Sequence, residues 1–246
     1  MDEKVLISRE GPVLRLQFNR PEKKNALDRA SYVALIEALA AASGDPGTRA
    51  VVFAGDRDFT AGNDLADFRD FLDNPADFPA LAFVRALAAF EKPMVAAVTG
   101  DAIGVGATML FHCDLVYASP DARLRMPFID LGLVPEAGAS LLVPQRLGMA
   151  RASQYLLLGE VFSGEDAHRL GVVNGLAPSE RVAETAMRAA QALAAKPPEA
   201  LRSARRLLRG EPAALLARID AEAALFARAL ASPETRERLA AFFARK

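Results

Sequence analysis

The sequence holds one cysteine, Cys113, no tryptophan, and only two histidines, His112 and His168. A single cysteine excludes an intramolecular disulfide and any cysteine-rich metal cluster. The histidines have no nucleophile or cysteine partner arranged with them, so neither a catalytic triad nor a metal site is expected. An excess of charge of either sign is also missing. Thirty basic residues stand against 31 acidic ones, for a formal charge of −1. That balance argues against a general binder of nucleic acid or of membrane surfaces, although a local Lys/Arg cluster for an anionic ligand remains open. No stretch of about 18 uncharged apolar residues occurs, so no membrane span is expected. The start, Met-Asp-Glu-Lys, lacks the basic and apolar runs of a signal peptide. The end, Ala244-Arg245-Lys246, is not the Ser-Lys-Leu address. A cytoplasmic location is the expectation.

What is present is ordinary globular material: 246 residues, 52% hydrophobic and 25% charged, enough for one large α/β domain. Val5–Ile7 and Val13–Phe18 alternate like strands around a Gly11-Pro12 turn. Asp28 occupies an N-cap position before the helical stripe Tyr32, Leu35, Ile36 and Leu39. Ala50–Ala54, Met94–Thr99 and Leu115–Ala118 read as buried strands, and Pro79–Phe90 as a helix. Val172-Val173 reads as a short strand, and Ser163 with Asp166 as a capping pair. Segments 179–195, 198–209, 211–231 and 233–244 read as helices between Pro and Gly breaks. The pattern predicts an α/β core with a helical extension, divided at 1–190 and 191–246.

Two loops place small residues between an apolar strand and a helix: Phe59-Thr60-Ala61-Gly62-Asn63-Asp64-Leu65 and Gly100-Asp101-Ala102-Ile103-Gly104-Val105-Gly106-Ala107-Thr108. Glycines there let backbone N–H groups face a ligand, and a helix start adds unpaired donors. Together the loops suit an oxyanion; simple turns after strands are the commoner reason for such glycines. A dinucleotide fingerprint is rejected, because its third glycine position is Met109.

The ordered set Asn19-Arg20-Pro21…Asn25-Ala26-Leu27, Ala61-Gly62-Asn63-Asp64-Leu65, Gly100-x-Ala102-x-Gly104-x-Gly106, Cys113-Asp114, Phe128 through Pro135, and Ser163-Gly164-Glu165-Asp166-Ala167…Gly171-Val172-Val173 resembles the crotonase (enoyl-CoA hydratase/isomerase) superfamily. The likeness runs from about residue 5 to about residue 180. It implies a spiral of ββα units with a C-terminal helical trimerisation region, assembled as a trimer or a dimer of trimers. It also implies an acyl-CoA substrate whose thioester oxygen lies between the N–H groups of Asn63 and Val105. Ala61 would offer its carbonyl to the adenine amino group, and Lys23 and Lys24 would face the CoA phosphates. Ala26, Asp64, Leu65, Gly104 and Phe128 would line the substrate site, and Phe68, Phe71 and Phe83 are further candidates for the acyl pocket. Coenzyme A belongs to the substrate, so no cofactor or metal is expected.

Hydratases of the superfamily carry carboxylates at the positions of Thr108 and Phe128. Neither is a carboxylate here. Glu136, after Pro135, stands where isomerases of the peroxisomal Δ3,Δ2 type carry their base, and the resemblance implies that it shuttles a proton from C2 to C4 of a 3-enoyl thioester. Asp130 is the fallback base. Apart from the resemblance, Glu136 reads as a first-turn residue of a helix running through Leu147. The alternatives are a hydratase or another enolate-forming relative, such as a ring-opening isomerase or a dehalogenase, and a catalytically idle CoA- or RNA-binding relative.

Overall fold

The computed structural model describes residues 3–64, 67 and 79–244, with side chains to residue 241. Its main sheet has six strands in the order β1 (Val5–Glu10), β2 (Val13–Phe18), β3 (Ala50–Ala54), β4 (Met94–Val98), β6 (Leu115–Ala118) and β9 (Gly175–Leu176). Only β1 and β2 pair antiparallel, through the Gly11 turn; every other pairing is parallel. Every residue of β3 and β4 is buried, which explains their unbroken apolar runs, since a parallel strand is covered on both faces. A second sheet runs β5 (Asp101–Ile103), β7 (Arg123–Arg125), β8 (Phe162–Ser163). This mixed α/β architecture with C-terminal helices is the fold the sequence leads one to expect.

Alternation along β3 divides the core. Val51 and Phe53 join a large cluster with Tyr32, Leu35 and Leu39 of α1 (Arg29–Gly44) and Phe83 and Leu87 of α2 (Pro79–Ala89). Ala50, Val52 and Ala54 face the other way, onto Val182, Ala186 and Ala190 of α6 (Ser179–Ala194). Period-two geometry makes both faces from one strand. Small side chains on the α6 side let the helix approach the sheet closely.

Helix ends follow the local chemistry. Asp28 accepts from the Ser31 N–H at 2.9 Å, and Ser163 and Asp166 form a complete capping box on α5 (Gly164–Arg169). Three expectations are corrected. β1 runs on to Glu10 because it has β2 to pair with along its whole length. Val172 and Val173 are not a strand: both N–H groups bond the Ala167 carbonyl, closing the end of α5, and both side chains fill the core. The strand lies two residues further on, at β9. Glu136 precedes α4 (Ala139–Leu157) by three residues, because Ala137 and Gly138 take left-handed backbone values and delay the helix. That helix continues past Leu147 with a break in its backbone at Gly148.

The last three helices are α7 (Pro198–Arg209), α8 (Pro212–Ala231) and α9 (Pro233–Ala244). Ile219, Leu230 and Leu239 belong to the large core cluster. Asp114 does more than start a strand. It accepts from the Met94 N–H at 2.8 Å and takes Arg205 Nε on both oxygens, at 2.8 and 2.9 Å, fastening α7 to the sheet. Among the described residues no helix is long and apolar enough to cross a membrane, and no group of three or more His, Cys, Asp or Glu is placed to hold a metal ion.

Candidate active site

The two small-residue loops lie side by side, joined backbone to backbone. The Thr60 N–H donates to the Asp101 carbonyl and the Ile103 N–H donates to the Thr60 carbonyl, each at 2.9 Å. Glycine is required where they touch. Gly62 has φ +83°, and a Cβ there would stand 2.6 Å from the Ile103 carbonyl oxygen. Gly104, at φ 57° and ψ −121°, occupies a region that only glycine tolerates. Asn63 follows the first contact, and Val105 opens α3 (Val105–Thr108) after the second. An N–H in a first helical turn has no acceptor inside the helix. Among the described residues nothing accepts from the backbone N–H of Asn63 or of Val105.

One turn beyond Val105, the Thr108 hydroxyl donates to Glu136 Oε1 at 2.6 Å. Glu136 and Asn63 are polar points on an otherwise apolar cavity of about 80 Å³. Ala80, Leu81 and Val84 of α2 form one wall, and Ile219, Phe226 and Leu230 of α8 another. Burial pushes the Glu136 carboxyl up to about 7; the Thr108 hydrogen bond opposes that rise and the Glu222 charge adds to it. A carboxylate poised near neutrality exchanges a proton readily in both directions. Thr108→Val removes the opposing bond, so the acid limb of the pH–rate profile should move to higher pH; a limb that stays in place would show that Thr108 does not act on the carboxylate.

The Tyr32 hydroxyl donates to Asn63 Oδ1. Burial first, and then the Glu136 and Asp67 charges, raise the Tyr32 phenol well above its ordinary range, so it stays a neutral donor. Behind the site, the Ala137 carbonyl accepts from His112 Nε2 at 2.7 Å. Burial pushes His112 down to about 4, which keeps the ring neutral with its proton on Nε2. On the other side Glu222 accepts from the Gly138 N–H at 2.6 Å and the Ser140 N–H at 2.8 Å.

The remaining candidate residues fall in several places. The Ala61 N–H bonds the Lys24 carbonyl at 2.9 Å. Lys23 is exposed, at the end of a 3-10 turn. Lys24 Nζ pairs with Asp101 at 2.7 Å, and that partner raises its pKa. Arg20 joins the Ala26 carbonyl at 2.6 Å and the Asp64 carboxylate at 2.9 Å, bracing the loop that enters the site. Leu65, Phe68 and Phe71 lie outside the described residues. Phe83 packs on Tyr32 with ring centroids 5.6 Å apart, and Phe128 is buried in the core; neither lines the cavity. Asp130 pairs with Arg125 at 2.9 Å, half exposed, away from the cavity. His168 donates from Nδ1 to the Val173 carbonyl at 2.9 Å. Burial pushes the Cys113 thiol up to about 12, leaving it an inert core group.

Sequence reasoning passed over Tyr32, Glu222 and the cavity wall on α8. The available signal was Glu222 itself, a charged residue within the apolar stripe Ile219, Ala223, Phe226, Leu230.

Residues 8–246 match the family model described as enoyl-CoA hydratase/isomerase. The chain is 34% identical over 246 residues to 2,3-dehydroadipyl-CoA hydratase of Escherichia coli K12, covering 98% of this chain and 96% of that one. It is 35% identical over 212 residues to enoyl-CoA delta isomerase 2 of Rattus norvegicus, covering 83% of this chain but only 54% of the longer rat protein. Among solved structures, Pseudomonas aeruginosa OdaA superimposes with a TM-score of 0.94 at 42% identity, covering 98% of this chain and 99% of that one.

Proposed function

The chain belongs to the enoyl-CoA hydratase/isomerase family, and from that premise we propose that it moves a double bond from C3 to C2 of an acyl-CoA thioester. The observation that carries this reading is that, among the described residues, one carboxylate, Glu136, faces the cavity, with a pKa near neutrality. In the proposed reaction the thioester oxygen lies between the Asn63 and Val105 N–H groups. Glu136 takes the C2 proton, the C2–H electron pair moves into a dienolate held by those two donors, and the protonated Glu136 returns the proton at C4. Water and metal are not consumed, and the carboxylate is restored. The backbone donors favour the charged intermediate over the neutral ester, which is the condition for rate acceleration.

Hydration is the second reading, favoured by the likeness to the E. coli hydratase. It calls for another carboxylate facing the substrate. Among the described residues the Glu222 charge acts on Glu136, but its two oxygens are occupied by the Gly138 and Ser140 N–H groups. The proposal extends to the CoA moiety, with the Ala61 carbonyl toward the adenine and Lys23 and Lys24 toward the phosphates, and to a trimer or a dimer of trimers. Incubation with 3-hexenoyl-CoA should give the conjugated 2-enoyl product, followed by its ultraviolet absorbance. Hydration of crotonyl-CoA without any movement of the 3-double bond would overturn the assignment. Absence of turnover on both would favour an idle binding relative.

A further inference from the structure

We propose that Glu222, on α8, is a positioning residue that aims the Glu136 carboxylate and tunes its protonation. This rests on the reading of Glu136 as the proton shuttle.

The turn that presents Glu136 is poorly supported by its own sequence. Ala137 at φ 59° and Gly138 at φ 72° are consecutive left-handed residues, and an alanine there is held against its preference. The N-cap of α4 is Gly138, which has no side chain with which to satisfy the first N–H groups of the helix. Glu222 substitutes for that cap from a helix 84 residues away, with one oxygen on Gly138 and the other on Ser140. A carboxylate at a helix start also meets the favourable end of the helix dipole. Contact is direct: a Cβ on Gly138 would stand 2.4 Å from Leu215 Cδ1 of α8. With the His112 bond to the Ala137 carbonyl, the turn is gripped from both sides.

The same carboxylate sits behind the base. The groups facing Glu136 are the Tyr32 phenol from α1, the Thr108 hydroxyl from α3 and the Glu222 charge from α8. Burial raises the Glu222 carboxyl itself, and the Ser140 and Gly138 hydrogen bonds and the Arg218 charge oppose that rise and hold it toward the ionised form. A negative neighbour favours the protonated form of Glu136 and strengthens it as a base.

Glu222→Gln keeps one acceptor and removes the charge, whereas Glu222→Asp keeps the charge on a shorter stem. For the Gln variant kcat should fall roughly 10-fold or more, as expected when a reacting group is misplaced by about 1 Å. Its KM for the acyl-CoA should stay within about twofold, because the thioester donors and the CoA contacts are untouched. Its acid limb should move to lower pH by about half a unit or more. The Asp variant should lose kcat while its acid limb stays in place. An independent reading comes from the carboxyl carbon signal of Glu136, identified as the one lost in Glu136→Gln: its titration midpoint should fall in Glu222→Gln. If both folded variants keep the native limb, midpoint and kcat, the proposal is overturned and Glu222 is a helix cap alone. Should the Gln variant not fold, a native kcat in the Asp variant is the overturning result. Should Glu136→Gln retain turnover, the shuttle assignment fails instead, and the carboxyl titration still reports whether Glu222 acts on Glu136.

Discussion

Glu136→Gln is expected to lower kcat on a 3-enoyl-CoA by roughly 10²–10⁴-fold, the range that a positioned acid–base group supplies, while leaving acyl-CoA affinity nearly unchanged. The Gln carbonyl still accepts from Thr108, so the geometry survives and only the proton acceptor is lost. The same change should stabilise the protein at alkaline pH. In the native fold the Glu136 carboxyl is raised from 4.5 to about 7, so the folded state holds its proton more tightly than the unfolded chain does. That advantage is complete below pH 4.5 and is lost as pH rises through about 7. Above pH 7 the ionised carboxylate therefore costs at most on the order of 3 kcal/mol, and Gln does not titrate. Thermal melts should show the variant more stable than the native protein at pH 8, with the difference shrinking toward pH 5. Full turnover by Glu136→Gln would remove Glu136 from the reaction, and equal melts at both pH values would contradict the raised pKa.

Gly62→Ala is expected to reduce kcat/KM by roughly 10²–10³-fold, comparable to the loss of one oxyanion donor. The new methyl would be 2.6 Å from the Ile103 carbonyl oxygen, at a backbone φ of +83°. The clash is with the main chain of the partner loop, so no side chain can swing away to relieve it. The loops must separate, and Asn63, the next residue, moves with the first of them. Enolate-forming turnover should fall far more than ground-state affinity for a saturated acyl-CoA, because the two N–H groups act most strongly on the developed charge. Native kinetics for Gly62→Ala in a folded protein would refute an oxyanion role for this junction. Glu136→Gln and Gly62→Ala probe different halves of the reaction, the proton and the charge.

Much of the architecture was legible locally. β3 falls where its apolar run predicts it, because a strand buried on both faces has nowhere to place a polar residue; β2, with Arg15 and Gln17 on its less buried face, falls where its alternation predicts it. Asp28 and the Ser163/Asp166 pair declare helix starts because capping is a contact between neighbours in the chain. Val172-Val173 misled for the opposite reason: β-branched residues favour strands, but here the end of α5 and a core vacancy beneath it claim them, and β9 pairs two residues later. Glu136 misled in a similar way when read alone. Whether a Glu lies in a helix or before it depends on Ala137 adopting a left-handed conformation, which alanine does not signal.

The sequence by itself determined the family, through six motifs in fixed order, and it was the resemblance carried by those motifs that pointed to Glu136, with no carboxylate at Thr108 or Phe128. It placed glycines in both loops, but the reason for Gly62, a partner-loop carbonyl where its side chain would stand, exists only in the tertiary structure. Only the tertiary structure decided that Glu136 titrates near neutrality, that Tyr32 holds Asn63, and that Glu222 stands in for the missing helix cap. These depend on burial and on charges brought together across the chain, as Glu222 is from 84 residues beyond Gly138. Desolvation and Coulomb forces act through space, so they exist only once packing has fixed the distances.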